Sequence, residues 1–153
     1  IEFIYKRPLN PDIIHLHDWQ TAVIAPLYKD MYQQIGLTKP RTVFTIHNME
    51  YQGKCAPADL ARIGLDGAFY QHPAKMQDNL YSNLVNLLKG GIVYSDYITT
   101  VSPNYAKEVL TPEGGRGLES TLRHYQYKFS GILNGIDYSY WNPEIDRFLP
   151  AHY

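Results

Sequence analysis

Apolar residues recur along this chain in two rhythms, and their alternation predicts its elements. Ile13-Ile14-His15-Leu16 is a short apolar run, β-branched at its start and introduced by the Pro11-Asp12 break, and it reads as a strand. The next apolar positions, Ile24, Leu27, Tyr28, Met31 and Ile35, fall at steps of three and four, the spacing of one helix face. Pro26 sits near the first turn of that helix, where backbone N–H groups lack partners anyway, and Gly36 ends it. A second strand is predicted over 41–46. Residues 49–78 are loop-rich, with a short helix around 58–63. Leu80, Leu84, Leu87, Leu88 and Gly91 mark a longer helix over 79–94. A third strand over 97–101 is rich in β-branched residues. Ser102-Pro103 starts a helix running to 110, because serine caps and proline suits the first helical position. Residues 111–117, with their glycines and a proline, read as a mobile loop. A short helix over 118–124 and a fourth strand over 129–133 complete the series, and 142–150 could serve as a linker.

Strand and helix patterns thus alternate four times. That order implies parallel strands joined by right-handed crossovers, hence an α/β sheet with helices on both faces. Such sheets bind ligands at the carboxyl ends of their strands. Three strands here end in polar clusters: His17-Asp18, His47-Asn48 and Asn134-Gly135-Ile136-Asp137. A carboxylate, an imidazole and two amides on one rim can bind a polyhydroxyl ligand through paired donors and acceptors.

Composition narrows the classes. The 153 residues are 44% hydrophobic and 19% charged, which fits one globular domain. Fourteen Lys+Arg stand against 15 Asp+Glu, a formal net charge of −1, so no basic face for nucleic acid is expected. No apolar run is long enough to read as a membrane span, and the N-terminus lacks a signal-peptide layout. Cys55 stands alone, which excludes an internal disulfide framework, and it has no paired base in the sequence. The chain begins at Ile1 rather than Met and stops after Phe148-Leu149-Pro150-Ala151-His152-Tyr153 without a capped helix or closing strand; a fragment of a longer chain is expected.

Several candidates have structural readings beside the chemical ones. Asp18 could simply cap the helix that starts near Trp19. His47 could be a satisfied buried histidine, Asn48 a turn residue and Asp137 a turn acid. His15 and His17 share one side of their strand, and His-x-His at a strand end is also a metal pattern in hydrolases. No compact carboxylate or cysteine cluster accompanies it, so no metal is expected. Lys89-Gly90-Gly91 lies inside or near the end of a helical pattern rather than between a strand and a helix, so its glycines read as close helix–sheet packing rather than a phosphate loop. Arg116 reads as a solvated side chain.

Taken together, five strings resemble the signature of the bacterial glycogen synthases and plant starch synthases. They are Pro11-Asp12-Ile13-Ile14-His15-Leu16-His17-Asp18-Trp19-Gln20-Thr21-Ala22, Phe44-Thr45-Ile46-His47-Asn48-Met49-Glu50-Tyr51-Gln52-Gly53, Lys89-Gly90-Gly91-Ile92-Val93-Tyr94-Ser95-Asp96, Thr100-Val101-Ser102-Pro103-Asn104-Tyr105-Ala106, and Gly131-Ile132-Leu133-Asn134-Gly135-Ile136-Asp137 with Trp141-Asn142-Pro143. They follow the family's order over nearly the whole chain. Gly64-Leu65-Asp66, Lys75-Met76-Gln77-Asp78 and Gly117-Leu118-Glu119-Ser120-Thr121-Leu122 are most similar to the starch synthase IV branch.

The resemblance implies a GT-B fold of two Rossmann-like domains with the active site between them. It implies retaining transfer of glucose from ADP-glucose to the non-reducing end of an α-1,4-glucan, without a cofactor or an essential metal. Residues 1–153 would then be the later part of the N-terminal, acceptor-side domain. The family's opening glycine loop and its C-terminal nucleotide-binding domain would lie outside, and the fragment alone would be inactive. Carried over by position, Asp18 matches a sugar-binding aspartate and His47 the histidine set against the transferred glucose, both catalytic. Asn48 and Asn134 would bind substrate, and Tyr51 would lie in the acceptor-side loop. Gln20 departs from the histidine that some bacterial members carry. The starch-synthase-like strings tilt the compartment to a plastid, chloroplast or amyloplast, with the cytoplasm expected for a bacterial source. Two alternatives stay open: a metal-dependent hydrolase built on His15-x-His17, and a non-catalytic glucan-binding scaffold.

Overall fold

The computed structural model of the chain describes residues 1–7 and 9–153. After a short opening helix α1 (Glu2–Lys6), strand β1 (Ile13–His17) runs into α2 (Asp18–Ala22), α3 (Ile24–Leu27) and a single π-helical turn, Tyr28–Tyr32. Strand β2 (Arg41–Ile46) follows. A small antiparallel pair, β3 (Lys54–Cys55) and β4 (Val85–Asn86), brackets a 3₁₀ helix (Pro57–Ile63) and α4 (Gly67–Tyr70). Then come α5 (Leu87–Tyr94), β5 (Tyr97–Thr100), α6 (Pro103–Glu108), α7 (Pro112–Gly115), α8 (Glu119–His124) and β6 (Phe129–Gly131).

The main sheet has the order β1-β2-β5-β6, and every neighbouring pair is parallel. The register sets His17 beside Thr45, Thr45 beside Thr99, and Thr99 beside Ser130. Alternation divides the faces. Ile14, Leu16, Phe44, Ile46 and Ile98 point into the core with Ala22, Ala25, Tyr28, Leu88, Ile92 and Leu122. His15, His17, Val43, Thr45 and Thr99 point the other way and line a cleft. The expected helices on both faces are found on one face only among the described residues, because the order β1-β2-β5-β6 steps one way across the sheet and right-handed crossovers then all fall on the same side. Leu60, Leu65, Tyr70, Met76 and Val85 form a satellite cluster under the long connection between β2 and α5.

Three predicted elements need correction. The helix over 79–94 begins only at Leu87. The Asp78 carboxylate accepts the N–H groups of Leu80 and Tyr81 at 3.0 and 2.9 Å, Val85-Asn86 pairs as a strand, and Asn86 Oδ1 caps α5 through Lys89 N–H at 3.0 Å. Residues 111–117 are not a featureless loop: Thr111 Oγ1 caps α7 through Gly114 N–H at 3.2 Å, with Pro112 in the first turn. The helical segment placed over 24–35 starts earlier, at Asp18, so Pro26 falls inside it. The Ser102 cap is present, with its Oγ accepting Tyr105 N–H at 3.0 Å. The glycines of α5 do permit close packing. A Cβ at Gly91 would lie 2.5 Å from Phe44 Cε1, and one at Gly90 would lie 3.0 Å from Met76 Cε.

Gly91→Ala gains about 1 kcal/mol of helix propensity but drives a methyl group into a fully buried ring, an overpacking cost of about 1–3 kcal/mol. The expected outcome is a net loss of stability in urea unfolding, with Phe44→Leu on the same background recovering part of it; an unchanged midpoint for Gly91→Ala would contradict the packing account.

Candidate functional site

The cleft on the open face runs to the carboxyl edge of the sheet. It encloses about 240 Å³ and is lined by residues of β1, β2 and β5 and by the segment after β6, including His15, His17, His47, Thr99, Ile132 and Asn134. No lysine or arginine is among its lining residues.

Two hydrogen-bonded chains cross its floor. His15 Nε2 lies 2.7 Å from Thr45 Oγ1, which lies 2.7 Å from Thr99 Oγ1. His17 Nδ1 lies 3.0 Å from His47 Nε2. The three imidazoles overlap in sequence, with centroids 4.2 Å apart for His15 and His17 and 5.3 Å for His17 and His47. Burial first, and then the neighbouring His17 and His47, push the His15 pKa below its usual value.

Asp18 works from the rim. It does not cap its own helix. Its Oδ1 instead accepts the backbone N–H of His47 at 2.7 Å and approaches that of Asn48 at 3.4 Å. The tip of β1 is thereby tied to the tip of β2. The backbone at Asp18 is left-handed, φ 51°, a conformation that non-glycine residues adopt rarely and at a cost of about 1–3 kcal/mol. Ahead of it, Thr21 Oγ1 clamps the peptide of His17, accepting its N–H at 2.6 Å and donating to its carbonyl at 2.7 Å.

The candidates do not all converge. His47 and Asn134 share the cleft, and Asp18 meets His47 through the backbone. Asn48 spends its Oδ1 on Glu50 N–H at 2.8 Å, a turn role. Tyr51 is 65% exposed on the adjoining loop, outside the lining set. Asp137 likewise folds a turn, accepting Ser139 N–H and Oγ–H at 2.9 and 2.6 Å. Arg116 is a solvated side chain, as expected, and pairs at the surface with Glu50 at 3.0 Å. Among the described residues no group of three or more His, Cys, Asp or Glu is arranged to hold a metal ion, so the His15-x-His17 hydrolase alternative finds no third ligand. No helix among the described residues is long and apolar enough to cross a membrane.

Sequence reasoning missed two groups. Thr45 and Thr99 form the cleft floor; their alternation with buried Phe44 and Ile98 was the available signal. The second group holds the loop that carries Asn48 and Tyr51. Gln52 Nε2 donates to Met49 O and Arg116 O, and Asn86 Nδ2 donates to Gln52 Oε1 and Asp78 Oδ2, each of the latter two at 2.7 Å. Burial pushes the Asp78 carboxyl up, but the Asn86 amide, the Tyr81 N–H, Lys54 and the Leu80 N–H outweigh it and hold its pKa below the ordinary value. Gly53, at φ 62°, completes the loop against the Trp19 ring, where a Cβ would lie 2.5 Å from Cε3.

Known proteins of the same kind identify the setting. The family model for the starch synthase catalytic domain matches residues 1–124. The chain belongs to the starch synthase catalytic domain family. Within that family it is 78% identical over 153 residues to a glycogen synthase of Protochlamydia amoebophila, covering all of this chain and 31% of that protein. It is 50% identical to a probable chloroplastic/amyloplastic starch synthase 4 of Arabidopsis thaliana, covering all of this chain and 15% of that protein. The solved catalytic domain of starch synthase IV from Arabidopsis thaliana, bound to ADP and acarbose, superimposes with a TM-score of 0.89 at 51% identity, over 99% of this chain and 31% of that one. The parallel α/β sheet is thus one part of a GT-B starch synthase fold, and the chain spans only a fraction of its relatives' length. The higher identity to a bacterial protein leaves the plastid expectation without support.

Asp18→Ala removes a charged acceptor while keeping a side chain at a left-handed φ. Stability should fall by about 1–3 kcal/mol, and exchange of the His47 amide should quicken. Asp18→Asn keeps an acceptor oxygen and tolerates that φ, so it should fall less. Urea unfolding with amide exchange checks both; equal losses in the two variants would remove the tie between the strand tips.

Proposed function

We propose that the chain is the later part of the N-terminal, acceptor-side domain of a retaining glucan synthase. The complete protein would transfer glucose from ADP-glucose to the non-reducing end of an α-1,4-glucan. One observation carries the reading: His47 and Asn134 face one cleft at the carboxyl edge of a parallel sheet, with Asp18 fixing the His47 backbone. The likeness to a starch synthase IV domain bound to ADP and acarbose supports the ligand class.

In this reading His47 lies against the glucosyl unit near its anomeric carbon. Asp18 fixes that position and offers its second oxygen to a hydroxyl. Asn134 binds the ligand from the last strand end, and Asn48 and Tyr51 contribute from the acceptor-side loop. Breaking the glucose–phosphate bond builds positive charge on the sugar and negative charge on ADP, and rate is gained by stabilising both in a fixed geometry. The cleft offers imidazole, hydroxyl and amide groups for the sugar but no cation for the diphosphate. A C-terminal nucleotide-binding domain would supply the basic groups, and closure between the domains would exclude water. The 78% identity to a bacterial protein favours a bacterial-type glycogen synthase acting in the cytoplasm over a plastid enzyme.

His47→Ala in the complete protein should lower turnover by at least about 100-fold, the scale of a lost transition-state contact, with the circular dichroism spectrum unchanged. Incorporation of labelled glucose from ADP-glucose into glucan measures it, and near-normal turnover would refute the assignment. Treatment with a chelator should leave incorporation unchanged; stoichiometric bound zinc with hydrolysis in place of incorporation would favour the hydrolase alternative.

A further inference from the structure

His17 has no part in the reading above, yet among the described residues it makes the one side-chain hydrogen bond to the His47 ring, Nδ1 to Nε2 at 3.0 Å. A bond between two imidazole nitrogens needs one N–H and one bare lone pair. The two rings therefore share a single proton across the contact, and their tautomers are coupled. If His17 Nδ1 carries the proton, a neutral His47 must carry its own on Nδ1, the nitrogen that the contact leaves for a ligand. If His47 Nε2 carries it, a neutral His47 presents a bare Nδ1. The partner ring thus decides whether His47 offers a donor or an acceptor, as outer partners fix the tautomer of a ligating histidine.

Both rings leave backbones that are already fixed. Thr21 clamps the His17 peptide, and Asp18 holds the His47 N–H. The titratable groups set against the pair are His15, whose ring overlaps His17, and the Asp18 carboxylate. The remaining polar neighbours, Thr45 and Thr99 of the strands and Asn134 after β6, are uncharged. Two imidazolium ions at this separation repel strongly, and neither could then accept the shared proton.

We propose that His17 is a positioning residue for glucosyl transfer, holding the His47 ring at Nε2 and fixing its tautomer. The proposal rests on the reading that His47 meets the glucosyl unit.

The test uses the complete synthase that carries this chain. His17→Phe keeps an aromatic ring but no nitrogen, and His17→Asn restores a short polar side chain at the same place. His17→Phe should lower kcat by roughly 10- to 100-fold, the scale seen when a partner that orients a reacting histidine is removed, with KM for ADP-glucose nearly unchanged. His17→Asn should recover a large part of kcat. In a His47→Ala background His17→Phe should have no further effect. If the Phe variant misfolds by circular dichroism, His17→Ala carries the same comparison. Near-normal kcat, no recovery by His17→Asn, or an equal loss in the His47→Ala background would overturn the proposal. Near-normal turnover of His47→Ala alone would instead overturn the transferase reading, whereas an inactive His47→Ala beside a normal His17→Phe would sink only this inference.

Discussion

A single carboxylate oxygen ties the site together. Asp18 Oδ1 takes the N–H of His47 across the gap between the tips of two neighbouring parallel strands. Parallel pairing already sets His17 beside Thr45, but pairing alone ends at the last ladder bond and leaves the following residues free to diverge. The left-handed turn at Asp18 aims its carboxylate sideways at the next strand instead of forward along its own helix. A relaxed backbone there would serve the helix better. The strained one serves the neighbouring strand, and such strain persists where surrounding structure enforces it.

The rest of the architecture holds that edge in place from behind. Phe44 and Ile98 lie on the core face, one residue from the threonines that floor the cleft on the other. Gly91 lets α5 press directly on Phe44, so the strand carrying Thr45 and leading to His47 is backed without a gap. The Gln52–Asn86–Asp78 network does the same for the loop beyond Asn48, anchoring it to the capping residue of α5. Helix start and loop therefore share buried polar partners, which raises the cost of moving either alone.

Much of this was legible in the sequence. The four main strands appear within a few residues of the predicted places, since their β-branched and aromatic runs ended in polar clusters that the carboxyl edge requires. Helix signals failed where side chains competed for the backbone. Leu80, Leu84 and Leu87 have helical spacing, but Asp78 captures the next N–H groups and Asn86 restarts the chain as a cap, so Leu80 is left 62% exposed. Thr111 hid a helical turn inside what glycine content marked as loop. Within the site, His47 and Asn134 were readable as strand-end groups, and the turn readings of Asn48 and Asp137 describe what their side chains do here. The role of Asp18 was not readable, because its partner is 29 residues away and only the parallel register brings the two tips together.

Charge argues for a division of labour in the proposed reaction. The cleft residues are imidazole, hydroxyl, amide and aliphatic, suited to a neutral polyol and to a sugar ring that becomes electron-poor. A departing diphosphate needs cations, and cations near this edge are engaged elsewhere: Arg116 on Glu50, and Lys54 on buried Asp78. In the proposed transfer this sheet edge is thus best matched with a second, basic surface that arrives with the nucleotide, so that opposite charges in the transition state are met from opposite walls.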